Sequence, residues 1–262
     1  MARQNIRYSE VTFTPYTNVT NAGLPFDEVL AGLNDGRARA QADFGVEFRW
    51  VLDIVRDTPD TRHQVAVWAI NAMDRGAVGL GLGGTERDRP PEWFTDVYAL
   101  AREAGLHSVP HAGEVEGPES VWGAIQVLHA ERLGHGVRSI EDPVLVDSLR
   151  EHQIPLEVCP TSNLCLGVYP TYEQHPIRRR REQELYVTVN SDDPTMFNTD
   201  LVSEYQALAE HLDFSAAELE SLSLNALRAS FLPDRHKADL EEDLRSQFAL
   251  LEARHLDRKE PH

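Results

Sequence analysis

Three short stretches carry groups that bind metals or move protons. His111-Ala112-Gly113-Glu114 follows the apolar run GLHSVP. Gly134-His135-Gly136 follows a second strand-like run, and Ser191-Asp192-Asp193-Pro194 closes YVTVN. A histidine beside a carboxylate that does not itself ligate is the pairing metal-assisted hydrolysis uses: one holds an ion and the other shuttles a proton. The small residues after His111 leave room for a ligand within reach of Glu114. The glycines around His135 bring the backbone close and leave its ring bare. Adjacent carboxylates can face different ways, so Asp192 and Asp193 can serve a cation and a substrate donor separately. Each motif also has a structural reading, such as a hydrogen-bonded strand-end histidine or a tight turn. A helix N-cap before Pro194 accounts for Asp193 but leaves Asp192 unexplained.

The elements that must position these groups read as alternating strands and helices. Strands are expected at 6–14, 46–55, 78–82, 106–111, 132–134, 155–159 and 186–190. Helices are expected at 26–42, 61–75, 91–104, 120–130, 143–152, 175–183, 199–212, 215–230 and 237–253, with a polar tail over 255–262. Pro91 at a start and Gly105 past an end are the usual punctuation of a helix. Such alternation means a parallel α/β sheet. Glu86, His111, Glu114, His135 and Asp192 all fall at or just past C-terminal strand ends, the face on which a (β/α)8 barrel builds its site. An open doubly wound sheet would place its site at one switch point, and no GxGxxG opens a helix after the first strand. Seven strands are found where a barrel needs eight, which points to an absent first strand. The expected organisation is one barrel domain over 1–254.

The net charge of −18 disfavours nucleic acid and anionic membranes, which would be repelled. No apolar run approaches the roughly 20 residues needed to cross a bilayer. Two cysteines, Cys159 and Cys165, flank a turn-like CPTSNLC; so few thiols fit a reducing, cytoplasmic setting without a disulfide framework. His63, His129, His152 and His175 read as surface or packing residues, and Arg178 to Arg181 as a solvated helix face. Trp50, Trp68, Trp93 and Trp122 read as core or interface residues.

The stretches GLGLGGTE (79–86), HAGE (111–114), ERLGHG (131–136), LEVCPTSN (156–163) and VNSDDP (189–194) together resemble the adenosine deaminase family of metal-dependent aminohydrolases. The resemblance implies an α/β fold, a (β/α)8 TIM-type barrel, here without its first β/α unit. It implies that His111 and Asp192 ligate one zinc ion and that Glu114 protonates N1 of a purine. It further implies that His135 orients the attacking hydroxide, that Asp193 meets N7 and that the backbone of Gly84 meets N3. The reaction implied is hydrolytic removal of the C6 amino group from an adenine-containing nucleoside, a small-molecule substrate. Leu82-Gly83-Gly84-Thr85-Glu86 is similar to the branch acting on 6-amino-6-deoxyfutalosine, an adenine nucleoside of menaquinone biosynthesis. Adenosine is the runner-up substrate.

The family takes two further zinc ligands from a His-x-His on its first strand, and none of the eleven histidines here forms that pattern. Zinc normally takes three or four protein ligands. The chain alone is therefore expected to hold zinc weakly and to deaminate little. Its unpaired barrel edges invite association between copies. Two other readings stay open: a non-catalytic purine-binding remnant, and a phosphoester hydrolase on the same barrel. The second lacks a cationic clamp for phosphate.

Overall fold

The computed structural model describes residues 1–255. Seven strands form one sheet in chain order: β1 (Tyr8–Phe13), β2 (Glu47–Val55), β3 (Ala77–Gly83), β4 (His107–Ala112), β5 (Leu133–His135), β6 (Leu156–Val158) and β7 (Val187–Val189). Every neighbouring pair is parallel. Helices α1 (Pro15–Ala22) and α2 (Phe26–Phe44) connect β1 to β2. Single main helices make the next four crossings: α3 (Arg62–Asn71), α4 (Thr95–Ala104), α5 (Pro118–Gln126) and α6 (Pro143–His152). Helices α7 (Pro160–Cys165) and α8 (Ile177–Glu182) link β6 to β7. After β7 come α9 (Pro194–Phe197), α10 (Leu201–Leu212), α11 (Ala216–Ala229) and α12 (Asp234–His255).

Strand periodicity sorts the residues into two faces. Trp50, Leu52 and Ile54 of β2 and Leu80 and Leu82 of β3 pack outward with Val65, Ala66 and Ala69 of α3 and Val97 and Ala101 of α4. The opposite parity faces inward, where β3 offers only Gly79, Gly81 and Gly83. The sheet curls: Glu10 of β1 reaches across the interior to Arg132 beside β5, at 2.6 Å, with both side chains nearly inaccessible. Phe231 closes this floor, with the Arg132 guanidinium 4.4 Å over its ring and the His107 ring stacked at 3.8 Å. No pairing joins β7 to β1 among the described residues, so the barrel is one unit short of closure.

All seven expected strands are present, with shifted ends. Several helical expectations need correction. The 61–75 stretch is broken at Ala72 and resumes as a short 3-10 turn, Met73–Arg75. CPTSNLC is helical, as α7. His129 lies outside any helix, with φ 53°. The arginine run is a solvated face only in part: Arg179 is exposed, but Arg180 is fully buried. Past His255, the expected polar tail lies outside the described residues. Helices α1 and α9, both opened by a proline at the first turn, were not anticipated.

Candidate active site

The HAGE loop is shaped by one buried carboxylate. Glu86, just past β3, accepts backbone N–H bonds from Gly113 (2.6 Å), Glu114 (3.1 Å), Val115 (2.9 Å) and Glu116 (2.9 Å). It also accepts the Ser120 hydroxyl at the start of α5. Burial alone would raise the pKa of Glu86, but these donors outweigh it and hold the carboxyl below its ordinary value. Glu86 is thus a framework anion that presents Glu114. Arg56, fully buried, grips the same loop from β2 by donating to the His111 carbonyl at 2.8 Å and to that of Arg89.

The GHG turn is held by a second buried ion. His135 and Gly136 both lie in the left-handed region, at φ 60° and 58°. Arg180 donates to the Gly136 carbonyl (2.5 Å) and to the Ser139 hydroxyl (3.0 Å). Gly134 is obligatory, since a Cβ there would stand 2.8 Å from the His111 ring. His111 and His135 therefore lie side by side, with ring centroids 5.1 Å apart.

These elements bring Glu114 and Asp192 to His135 with the His111 ring alongside, but His111 is not in the group of side chains, among the described residues, that could share an ion. The Nε2 of His135 lies 3.6 Å from Glu114 and 3.7 Å from Asp192. Asp192 adopts φ 53° and accepts the Ser162 hydroxyl at 2.7 Å. Asp193 sits at the N-cap of α9, but its side chain does not cap that helix. Burial, then the neighbouring Asp192, raises the Asp193 pKa, with His111 and His135 acting against it, so its carboxyl faces the same cavity. Gly84 has φ +83°, and a Cβ there would collide with the Asp57 carboxylate at 2.5 Å. Its backbone thus stays open at the rim.

The donor set suits a metal ion. His135, Cys159 and Asp192 each offer an atom, and these lie within 4.8 Å of one another. The Nδ1 atoms of His111 and His135 are buried without a hydrogen-bond partner among the described residues. Burial would lower the His111 pKa, yet Asp53, Asp192, Glu114 and Glu157 around it raise it, the signature of a pocket that attracts cations. Nitrogen, sulfur and carboxylate donors are the set zinc accepts. Burial, followed by Asp192, pushes the Cys159 thiol far up, so in the metal-free protein it stays protonated.

Sequence reasoning missed Asp53, Arg56 and Arg180 as parts of this site. The signal was available for two of them: an aspartate and an arginine inside the apolar run VLDIVR. Arg180 hid in a run of four arginines whose common helix face cannot be read from composition.

A family profile for adenosine deaminase matches residues 1–247. An aminodeoxyfutalosine deaminase of Streptomyces avermitilis is 42% identical over 91% of this chain and 67% of its own length. An adenine deaminase of Cupriavidus necator is 39% identical, over 90% of this chain and 67% of its own. Among solved structures, an amidohydrolase from Burkhoderia ambifaria with bound Zn superposes with a TM-score of 0.90 at 28% identity, covering 95% of this chain and 70% of that one. The chain spans about two thirds of the length of the curated relatives it matches. With the profile covering nearly the whole chain and the motif residues converging on one cavity, the protein belongs to the adenosine deaminase family.

Proposed function

We propose that this chain carries the purine-binding and proton-transfer centre of a hydrolase that removes the C6 amino group of an adenine-containing nucleoside. The observation that carries this reading is the convergence of Glu114 and Asp192 on Nε2 of His135, at 3.6 and 3.7 Å. His111 and Asp192 would hold one zinc ion, with Cys159 and His135 within reach of the same space. Zinc bound there would supply a water acidic enough to react near neutral pH. The remaining steps belong to the chain's own residues. Glu114 carries the proton delivered to N1, which makes C6 electrophilic. His135 orients the incoming oxygen and takes up its proton. Asp193, as the acid, donates a hydrogen bond to the N7 lone pair, and the backbone of Gly84 meets N3. Water adds at C6, ammonia leaves with the proton His135 took up, the remaining hydroxyl proton returns to Glu114, and a ring carbonyl remains.

The favoured substrate is 6-amino-6-deoxyfutalosine. The 42% identity to a protein of that name supports it. Adenosine is the alternative. Two free thiols suit a reducing, cytoplasmic setting, and no helix among the described residues is long and apolar enough to cross a membrane. The sheet edges at β1 and β7 make association between copies the expected state at high concentration. A second reading, a purine-binding chain without turnover, draws support from the lack of any His-x-His in the sequence. Ammonia release from aminodeoxyfutalosine, adenosine and adenine, measured with and without added zinc, tests the first reading against the second. Nucleoside binding without ammonia at saturating zinc would favour the second.

A further inference from the structure

A carboxylate that none of the motifs includes lies beneath this centre. Asp53 is the inward residue of β2 level with Gly81, and it is 5% exposed. Its two oxygens rest over β3: a Cβ on Gly81 would stand 2.4 Å from Oδ1, and one on Gly83 would stand 2.4 Å from Oδ2. The carboxylate therefore occupies the space two missing side chains would fill. It also leans toward the C-terminal end of the sheet, because Gly83 lies one residue past the Leu82–Pro110 pair and so is level with His111. With β3 bare on its inner face, nothing on that strand separates Asp53 on β2 from His111 on β4.

Both partners lack hydrogen bonds. Asp53 Oδ1 and His111 Nδ1 are buried and unpaired among the described residues. A buried carboxylate without donors is costly, and an apolar residue between Val51 and Val55 would serve packing better. Histidines in metal centres commonly donate their second ring nitrogen to a carboxylate, which sets the tautomer and the ring plane.

We propose that Asp53 is a positioning residue for His111: reaching over the side-chain-free face of β3, its carboxylate fixes the protonation and ring plane of the imidazole from beneath. His111 then keeps one nitrogen protonated toward Asp53, directly or through one water, and leaves the other as a free donor in the cavity. Gly81 and Gly83 are part of the device, since either methyl would expel the carboxylate. The proposal rests on reading His111 as a ligand-binding histidine of the site.

The test is the nitrogen spectrum of the imidazoles in the metal-free 262-residue chain. His111 in the wild type should show one neutral tautomer, protonated at Nδ1. Asp53→Asn should convert it to a mixture, and Gly81→Ala, which keeps the carboxylate but displaces it, should do the same. Zinc affinity measured by chelator competition should fall about 10- to 100-fold in both variants, while the melting temperature of the metal-free Asp53→Asn protein should hold or rise. An unchanged His111 tautomer, or zinc affinity equal to the wild type, overturns the role of Asp53. A wild type that takes up no zinc would refute the metal reading instead, and the tautomer would still decide the role of Asp53. If Asp53→Asn does not fold, Gly81→Ala alone gives both readouts.

Discussion

The two walls of the cavity are built to different standards. The β4–β5 wall, with HAGE and GHG, is braced by two buried ions: Glu86 accepts five hydrogen bonds from the HAGE loop and α5, and Arg180 grips the GHG turn. The β7 wall stands at the sheet's edge, where Asp192 has one bond, from Ser162, and Asp193 caps a four-residue helix without bonding to it. Preorganisation is therefore concentrated around Glu114 and His135. The carboxylates that would meet a cation and N7 are held loosely, as suits groups that gain partners on binding.

The largest expected effect comes from removing the stronger brace. Glu86→Gln puts an amide donor among backbone donors and leaves several unpaired, so destabilisation of about 3 kcal/mol or more is expected. Thermal melts would read it, and activity should be lost with the HAGE geometry. Stability near that of the wild type would show that the loop holds itself. Next is Arg180→Met, which leaves the Gly136 carbonyl and the Ser139 hydroxyl without their donor, at a cost of about 2 kcal/mol. Burial already holds the Arg180 pKa down, to about 10, so the guanidinium pays a desolvation penalty that methionine would not. If that relief dominates, stability is retained while activity falls, which would sharpen the contrast by making Arg180 purely a brace for function.

Asp53 gives a pH dependence of known sign. Burial raises its pKa to about 6 in the folded chain, against 3.8 for the free group, while His111 and Arg56 pull it down. An acid whose folded pKa is raised contributes stability that is fully present below the unfolded value and is lost as pH climbs through the folded one. Metal-free wild type should therefore fall behind Asp53→Asn between about pH 4 and pH 6, by on the order of 3 kcal/mol at neutral pH. Parallel denaturation curves at pH 4 and pH 7 read this, and a constant gap would refute it. The smallest effect is on the loose wall. Ser162→Ala removes the only hydrogen bond on Asp192 among the described residues and should cost about 1 kcal/mol of stability, with a larger loss in zinc affinity than in melting temperature. An effect as large as that of Glu86→Gln would erase the difference between the walls.

Much of this was legible in the sequence, for physical reasons. Strands such as 46–55 and 78–82 announce themselves by apolar runs ended by loaded residues, and HAGE, GHG and SDDP fall where a parallel barrel gathers its side chains. What the pattern cannot carry is cross-strand compensation. Gly81 and Gly83 of GLGLG make room for an aspartate two strands before His111, and the nearer pair lies twenty-eight positions apart (Asp53 to Gly81). Arg180 looks like its exposed neighbours until α8 is packed behind the GHG turn. Helix α7 was masked by Pro160, Ser162 and Asn163, residues that favour turns but here start a helix at β6.

The decisive measurement is ammonia release from 6-amino-6-deoxyfutalosine by the purified chain, titrated with zinc and then with chelator. Slow release is expected, rising with added zinc, abolished by chelation and by Glu114→Gln, and slower with adenosine. Release that chelation leaves untouched, or none at saturating zinc, would contradict that expectation.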